Sequence, residues 1–356
     1  MPSPSPAVAA LIVEQLNAGY QQQTVLQQFS IRINHGDIVC LLGPSGCGKT
    51  TALKAIAGLQ PSHSGRIELF GRVVADGQHN VAPQQRNIGF IFQDYALFPH
   101  LSVADNVGYG LKSLNAEQQQ QRINEVLKLV ELSDYAKRFP HELSGGQQQR
   151  IALARALAPQ PDLLLMDEPF SNIDSQVKRR MMTELRRLIK RSGVTAIFVT
   201  HAKDEAFVFA DQTAVMMDGR IQQYATPAQV FNQPANIKVA RFMEAGNLCP
   251  LTQLATVLPN SAKEQTSEHT NDTAYALLQR HEFEVEKNEN GEATVHDVQF
   301  NGRGQLLTVA LSSHNSQNSQ NSQNDTDWLI ETEDDLSLQP GDRVRLHYMK
   351  QPVIIS

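Results

Sequence analysis

The sequence predicts an α/β fold, a parallel sheet covered by helices, followed by a smaller β-rich unit. Three observations carry this. Short, almost wholly apolar runs at 38–42, 163–166 and 196–200 alternate with helix-like stretches, as strands buried on both faces do in parallel sheets. The glycine-rich octapeptide Gly43-Pro44-Ser45-Gly46-Cys47-Gly48-Lys49-Thr50 joins the first run to a helix-like segment. After Gly246 the pattern changes to closely spaced short strands, and the charge changes sign.

Each element follows in chain order. Residues 11–16, 25–33 and 66–70 alternate or run apolar between Gly and Asn punctuation, as strands do. The run 38–42 suits a buried strand, and 50–57 reads as the helix after it. Residues 116–158 read as helical, with Ile123, Val126, Leu127 and Val130 on one face. A helix at about 177–190 separates the strands 163–166 and 196–200. Beyond Gly246, short strands are expected at 282–286, 294–300, 305–311, 327–332, 343–348 and 353–355. The insert 315–324 repeats Asn-Ser-Gln three times before a final Asn; it can bury almost nothing and reads as a disordered loop at about 313–325.

The 356 residues carry 31 Lys+Arg and 37 Asp+Glu, net −6. Residues 247–356 hold 7 basic and 16 acidic side chains, net −9, which leaves +3 for residues 1–246. Two units with different roles are expected, 1–245 and 246–356. No run approaches the roughly 18 apolar residues of a membrane-spanning helix. The apolar stretch 7–13 follows Pro-Ser-Pro-Ser-Pro and makes a poor secretion signal. Cys40, Cys47 and Cys249 are too scattered for a disulfide framework or a metal cluster. No basic face suggests nucleic acid as a partner.

The octapeptide fits the phosphate-binding loop G-x-x-x-x-G-K-[ST]. Backbone N–H groups of such a loop close around phosphates at a helix amino terminus. Lys49 is expected on the β- and γ-phosphates, the Thr50 hydroxyl on Mg²⁺ and Thr51 near the α-phosphate. Asp167 and Glu168 end an apolar strand. Alone they read more often as a helix cap or a solvated turn; beside a phosphate loop they suit a Mg²⁺ carboxylate and a base for the attacking water. Ser144, Gly145, Gly146 and Gln147 open a further helix, either as an ordinary cap or as a second anion-binding amino terminus.

Leu143-Ser144-Gly145-Gly146-Gln147, 20 residues before Asp167, resembles the signature of ABC-type ATPases. The resemblance implies a P-loop ABC ATPase fold over 1–245. That fold has a parallel core, an antiparallel β subdomain and a helical subdomain at about 95–160, followed by a small OB-like (TOBE-type) domain at 246–356. It implies ATP and Mg²⁺ as cofactors. Gln93 then corresponds to the glutamine that senses the γ-phosphate and Mg²⁺, His201 to the switch histidine, and Tyr20 to the aromatic that stacks on adenine. Ser171-Asn172-Ile173-Asp174 is similar to the D-loop, with Asp174 crossing to a partner, although Asn172-Ile173 stands where Ala-Leu is usual. Ala202 stands where an acidic residue usually follows the histidine.

In this family two copies sandwich two ATP molecules, which implies a homodimer. The segment from Tyr95 to Val103 resembles the region that receives the membrane permease of importers for iron, polyamines, sulfate and sugars, with a solute-binding protein acting indirectly. Residues 81–89, 135–143 and 244–248 resemble most the ferric-iron importer ATPases. A peripheral location on the cytoplasmic face of the inner membrane follows from the same resemblance. Soluble ABC ATPases of DNA repair or translation, the alternative class, usually carry a long coiled-coil insertion or paired ATPase units, which this sequence lacks. Lys49→Ala is expected to abolish nucleotide binding in an equilibrium titration with ATP; wild-type affinity would rule out the phosphate-loop reading.

Overall fold

Residues 38–42 are apolar throughout, and the strand they form is buried at every position. The computed structural model describes residues 9–20, 23–171, 173, 175–257, 274–302, 304–311, 327–333 and 336–355. The loop expected at 313–325 and Asp174 lie outside the described residues. The chain divides into two units, Met1–Val230 and Phe231–Ser356, ahead of the composition change after Gly246.

The first unit opens with β1 (Ala9–Tyr20), β2 (Gln23–Asn34), β3 (Ile38–Leu42) and α1 (Lys49–Ala57). Then come β4 (Ser62–Leu69), β5 (Arg72–Ala75) and β6 (Ile88–Ile91), followed by α2 (Val103–Gly108), α3 (Ala116–Leu129) and α4 (Gly145–Leu157). β7 (Leu163–Asp167), α5 (Ser175–Ser192), β8 (Thr195–Thr200), α6 (Lys203–Phe209), β9 (Gln212–Met217) and β10 (Arg220–Ala225) lead to α7 (Pro227–Asn232), within which the division falls.

Six strands form the sheet β10-β9-β3-β8-β7-β6. Its pairings are parallel except at the edge, where β10 runs antiparallel to β9. A second, antiparallel sheet has the order β2-β1-β4-β5. Phe29, Ile31 and Ile33 point inward from β2 while Ser30, Arg32 and Asn34 point out, the period of two that a half-buried strand requires. Leu16, Phe29 and Ile33 of this sheet share one core with Leu41 of β3 and with Leu53 and Ile56 of α1. Helix α1 is thereby held between the sheets.

Register decides what meets at the sheet's carboxyl end. Leu42 pairs with Thr200 and Asp167 with Val199. The chain therefore leaves β3, β7 and β8 side by side, at the edge where open parallel sheets place their ligands. Beneath it, Phe209 of α6 meets Phe170 and Phe198 edge-on, each with ring centroids 5.0 Å apart.

The helical expectation for 116–158 needs correction. α3 ends at Leu129 and α4 begins at Gly145, with only short 3₁₀ turns between them. Val130, Leu132 and Leu143 keep the apolar pattern because they are buried, but Pro140 and the capping residue Ser144 break the helix.

The second unit holds α8 (Ile237–Met243), β11 (Asn247–Pro250), α9 (Leu251–Val257), β12 (Tyr275–Leu278) and β13 (Phe283–Lys287). β14 (Ala293–Phe300), β15 (Gln305–Leu311), β16 (Asp327–Thr332), β17 (Arg343–Tyr348) and β18 (Val353–Ile355) follow. Two antiparallel sheets, β11-β12-β18 and β13-β17-β14-β15-β16, close over Phe283, Val295, Val309, Trp328 and Leu346. The Asn247 side chain donates to Leu329 O at 2.8 Å and accepts from Leu329 N at 2.9 Å. The strands dominate this unit, as expected of a small β domain.

Arg86 fixes the far end of α1. Its buried guanidinium donates to Ala55 O at 3.0 Å and Ile56 O at 2.7 Å, the last carbonyls of the helix, and to Val81 O at 2.9 Å. Burial lowers its pKa to about 10, which leaves it charged at neutral pH. Arg86→Met should destabilise the first unit by about 3 kcal/mol, since it strands several buried carbonyls. Calorimetry of its unfolding transition is the check, and a loss under about 1 kcal/mol would contradict the role.

Candidate functional site

The loop 43–49 turns from β3 into α1 through conformations that glycine supplies. Gly48 caps α1 at φ +104°, and a Cβ there would stand 3.0 Å from the side chains of Val25 and Leu26. At Gly43 a Cβ would lie 2.1 Å from Met216 O. Backbone therefore packs on backbone beneath the loop, while Pro44, Ser45 and Gly46 stay exposed above it. Lys49 folds under the loop, where its ammonium donates to Gly43 O at 2.7 Å and Pro44 O at 2.8 Å. Both acceptors are neutral, which leaves its charge to an anion seated on the loop. Thr51 is buried in the first turn of α1, and burial pushes the Cys47 thiol pKa up.

Across the sheet edge, the Thr50 hydroxyl donates to Asp167 Oδ1 at 2.9 Å. Burial raises the Asp167 pKa above its ordinary value, and the Thr50 hydrogen bond opposes the shift. A hydroxyl beside a desolvated carboxylate is a hard-oxygen pair of the kind Mg²⁺ takes when substrate phosphates and waters complete its shell. The residues present fit the ion.

Glu168 takes a left-handed conformation, φ +45°, which costs a non-glycine residue roughly 1–2 kcal/mol. Its N–H bonds to Val199 O at 3.2 Å, and Ser171 holds its carbonyl from both N and Oγ. The carboxylate lies between two polar side chains: Gln93 Nε2 is 3.5 Å from Oε2, and His201 Nδ1 is 3.3 Å from Oε1. Gln93 also reaches Ser171 Oγ at 3.4 Å. Gln93, Asp167, Glu168 and His201, from three separate stretches of sequence, thus converge with Thr50 beside the phosphate loop.

Tyr20, 47% exposed, ends β1 with an open ring face. Its hairpin reaches the loop through Val25 and Leu26. Ser144, Gly145, Gly146 and Gln147 open α4 as expected, with the Ser144 side chain accepting from Gln147 N and Ser144 N donating to Gln147 Oε1. No contact between them and Lys49 or Thr50 is found among the described residues.

The segment from Tyr95 to Val103 is less exposed than its sequence suggests. Tyr95 and Val103 are buried, and the open apolar rings here belong to Phe92 and Tyr109, 39% and 47% exposed. Tyr95 turns inward because its backbone is gripped: Arg155 donates to Tyr95 O at 2.8 Å and Ala96 O at 2.6 Å. The buried Asn106 holds Phe98, Leu101 and Ser102. Sequence reasoning passed over Arg155 and Gln149, which bonds Pro169 O at 2.9 Å. A glutamine on the buried stripe with Ala152, Leu153 and Ala156 was the available signal.

The sequence model of the ABC transporter family matches residues 26–171. A spermidine/putrescine import ATP-binding protein PotA from Oleidesulfovibrio alaskensis is 35% identical over 349 residues, 93% of this chain and 92% of that protein. The chain belongs to the ABC transporter family. A further relative, an Fe(3+) ions import ATP-binding protein FbpC from Haemophilus influenzae, is 43% identical over 247 residues, covering 68% of this chain and 70% of its own. Among solved structures, the dimeric post-hydrolysis state of an ATP-binding cassette bound to ADP and Pi aligns with a TM-score of 0.53 at 30% identity. That match covers 61% of this chain and 98% of its own. No described helix is long and apolar enough to cross a membrane.

The raised Asp167 pKa has a sign. A carboxyl that binds its proton more tightly when folded lowers stability as pH rises through that pKa. Asp167→Asn keeps an acceptor for Thr50 and removes the buried charge. It should raise the unfolding midpoint near pH 7.5 without Mg²⁺, with the gain fading towards about pH 4. Equal midpoints at both pH values would contradict this.

Proposed function

We propose that this chain is the ATP-hydrolysing subunit of an ABC importer and that it works as a homodimer. The observation that carries the reading is the convergence of Gln93, Asp167, Glu168 and His201 on the end of the phosphate loop. In this reading Lys49 and the loop amides hold the β- and γ-phosphates and Tyr20 stacks on the adenine. Thr50, Asp167 and Gln93 hold Mg²⁺, which when bound neutralises charge on the phosphates. Glu168 takes the proton of the attacking water, and its strained backbone aims the carboxylate there. His201 and Gln93 fix that carboxylate and face the γ-phosphate.

Ser144, Gly145, Gly146 and Gln147 complete the site of the second copy, and Asp174 crosses to it as well. The dimeric ATP-binding cassette that aligns with this chain supports that arrangement. Phe92, the half-buried Leu97 and Phe98, and Tyr109 give the permease its apolar docking surface at the cytoplasmic face of the inner membrane. A solute-binding protein acts on the far side. Residues 1–245 serve as an ATP-binding domain and residues 246–356 as a regulatory β-rich domain.

Ferric iron is the solute we favour, supported by the Haemophilus influenzae relative at 43% identity. Polyamine import is the second reading, supported by the spermidine/putrescine relative that aligns over 93% of this chain. Glu168→Gln should bind ATP normally while hydrolysis falls at least about 100-fold; unchanged turnover would sink the assigned role. Uptake of labelled ferric iron and of labelled putrescine, in cells with and without the chain, separates the solutes. Iron uptake that is lost without the chain supports our choice, and loss confined to putrescine overturns it.

A further inference from the structure

Helix α4, capped by Ser144, sends two side chains into the turns that carry Gln93 and Glu168. Gln149, 1% exposed, stands five residues in. Its Nε2 donates to Pro169 O at 2.9 Å, on the residue directly after Glu168, while its Oε1 is buried without a partner among the described residues. Six residues further, roughly 9 Å along the axis, Arg155 forks onto Tyr95 O at 2.8 Å and Ala96 O at 2.6 Å, two and three residues after Gln93. Its guanidinium also lies 5.4 Å from the centre of the Phe98 ring.

The Arg155 attachment falls on strained backbone, and the Gln149 attachment falls on the residue next to the strained Glu168. Tyr95, Ala96 and Glu168 have φ of +60°, +46° and +45°, conformations that persist only where surrounding contacts enforce them. Gln149 is a neutral amide held by one bond from a position that packing alone would give to an apolar side chain. That the bond is kept at the expense of a buried, unpartnered oxygen points to a role beyond packing.

We propose that Gln149 and Arg155 are positioning residues for hydrolysis, tying the Ser144–Gln147 end of α4 to Glu168 and Gln93 of the same chain. Resting on the site reading above, a shift of α4 when its amino terminus engages nucleotide moves both turns together. Engagement at one site is thus communicated to the chain's own water-activating carboxylate.

The test is steady-state ATP hydrolysis by the full chain, with TNP-ATP binding and thermal melts alongside. Gln149→Met and Arg155→Met should lower kcat about tenfold while KM and the TNP-ATP Kd stay within about twofold. Arg155→Lys, which keeps the charge but lacks the fork, should fall between Arg155→Met and wild type. Wild-type kcat in both Met variants, or KM rising in step with the loss, overturns the proposal. Should Gln149→Met melt below the assay temperature, Arg155→Lys carries the test, and wild-type kcat there overturns it. Glu168→Gln runs in parallel: if it still hydrolyses ATP, the site reading fails, whereas if it alone is inactive, only the coupling fails.

Discussion

One hydrogen bond, from the Thr50 hydroxyl to Asp167 Oδ1 at 2.9 Å, joins the two halves of the site across 117 positions of sequence. Its partners stand on α1 and at the end of β7, and β8 lies between β3 and β7 in the sheet. The bond can form only if that strand order is right. The buried apolar strands, the aromatic cluster under Glu168 and the Arg86 clasp on α1 all hold these two side chains within reach. The site then sits where fixed N–H groups favour anions and a desolvated carboxylate favours a cation. Each half is incomplete without the other's charge.

Strain is concentrated in the same place. Glu168 is held at φ +45° by a ladder bond to Val199 and by Ser171, and Phe170 anchors the turn against Phe209. Tyr95 and Ala96 are held by Arg155. In the proposed reading these turns stay rigid only while α4 keeps its place, so that helix governs the two side chains assigned to the nucleotide, Gln93 and Glu168. A site poised in this way responds to small displacements because packed elements switch between discrete arrangements.

The parts of the site that were legible in the sequence are those whose chemistry is local. Gly43 to Thr50 states its conformation in its glycines, and the apolar run before Asp167 announces a buried strand ending in carboxylates. The strands of the second unit could be read because short runs there alternate between turn residues. What escaped depends on distant partners. Gln149 and Arg155 bond to backbone carbonyls, which carry no sequence signature. β6, with its exposed neighbour Phe92, is too short to stand out, and the burial of Tyr95 rests on the Arg155 fork. Residues 130–144 kept a helix-like apolar spacing for reasons of burial, although Pro140 stood in plain view.

The central claim is that Thr50 and Asp167 form one Mg²⁺–nucleotide centre with the phosphate loop. Calorimetric titration of ATP into the Glu168→Gln chain, with and without Mg²⁺, tests it without interference from turnover. Mg²⁺ should tighten ATP binding at least about tenfold in that chain and less than about twofold once Thr50→Val is added. An undiminished Mg²⁺ effect in the double variant would contradict the account.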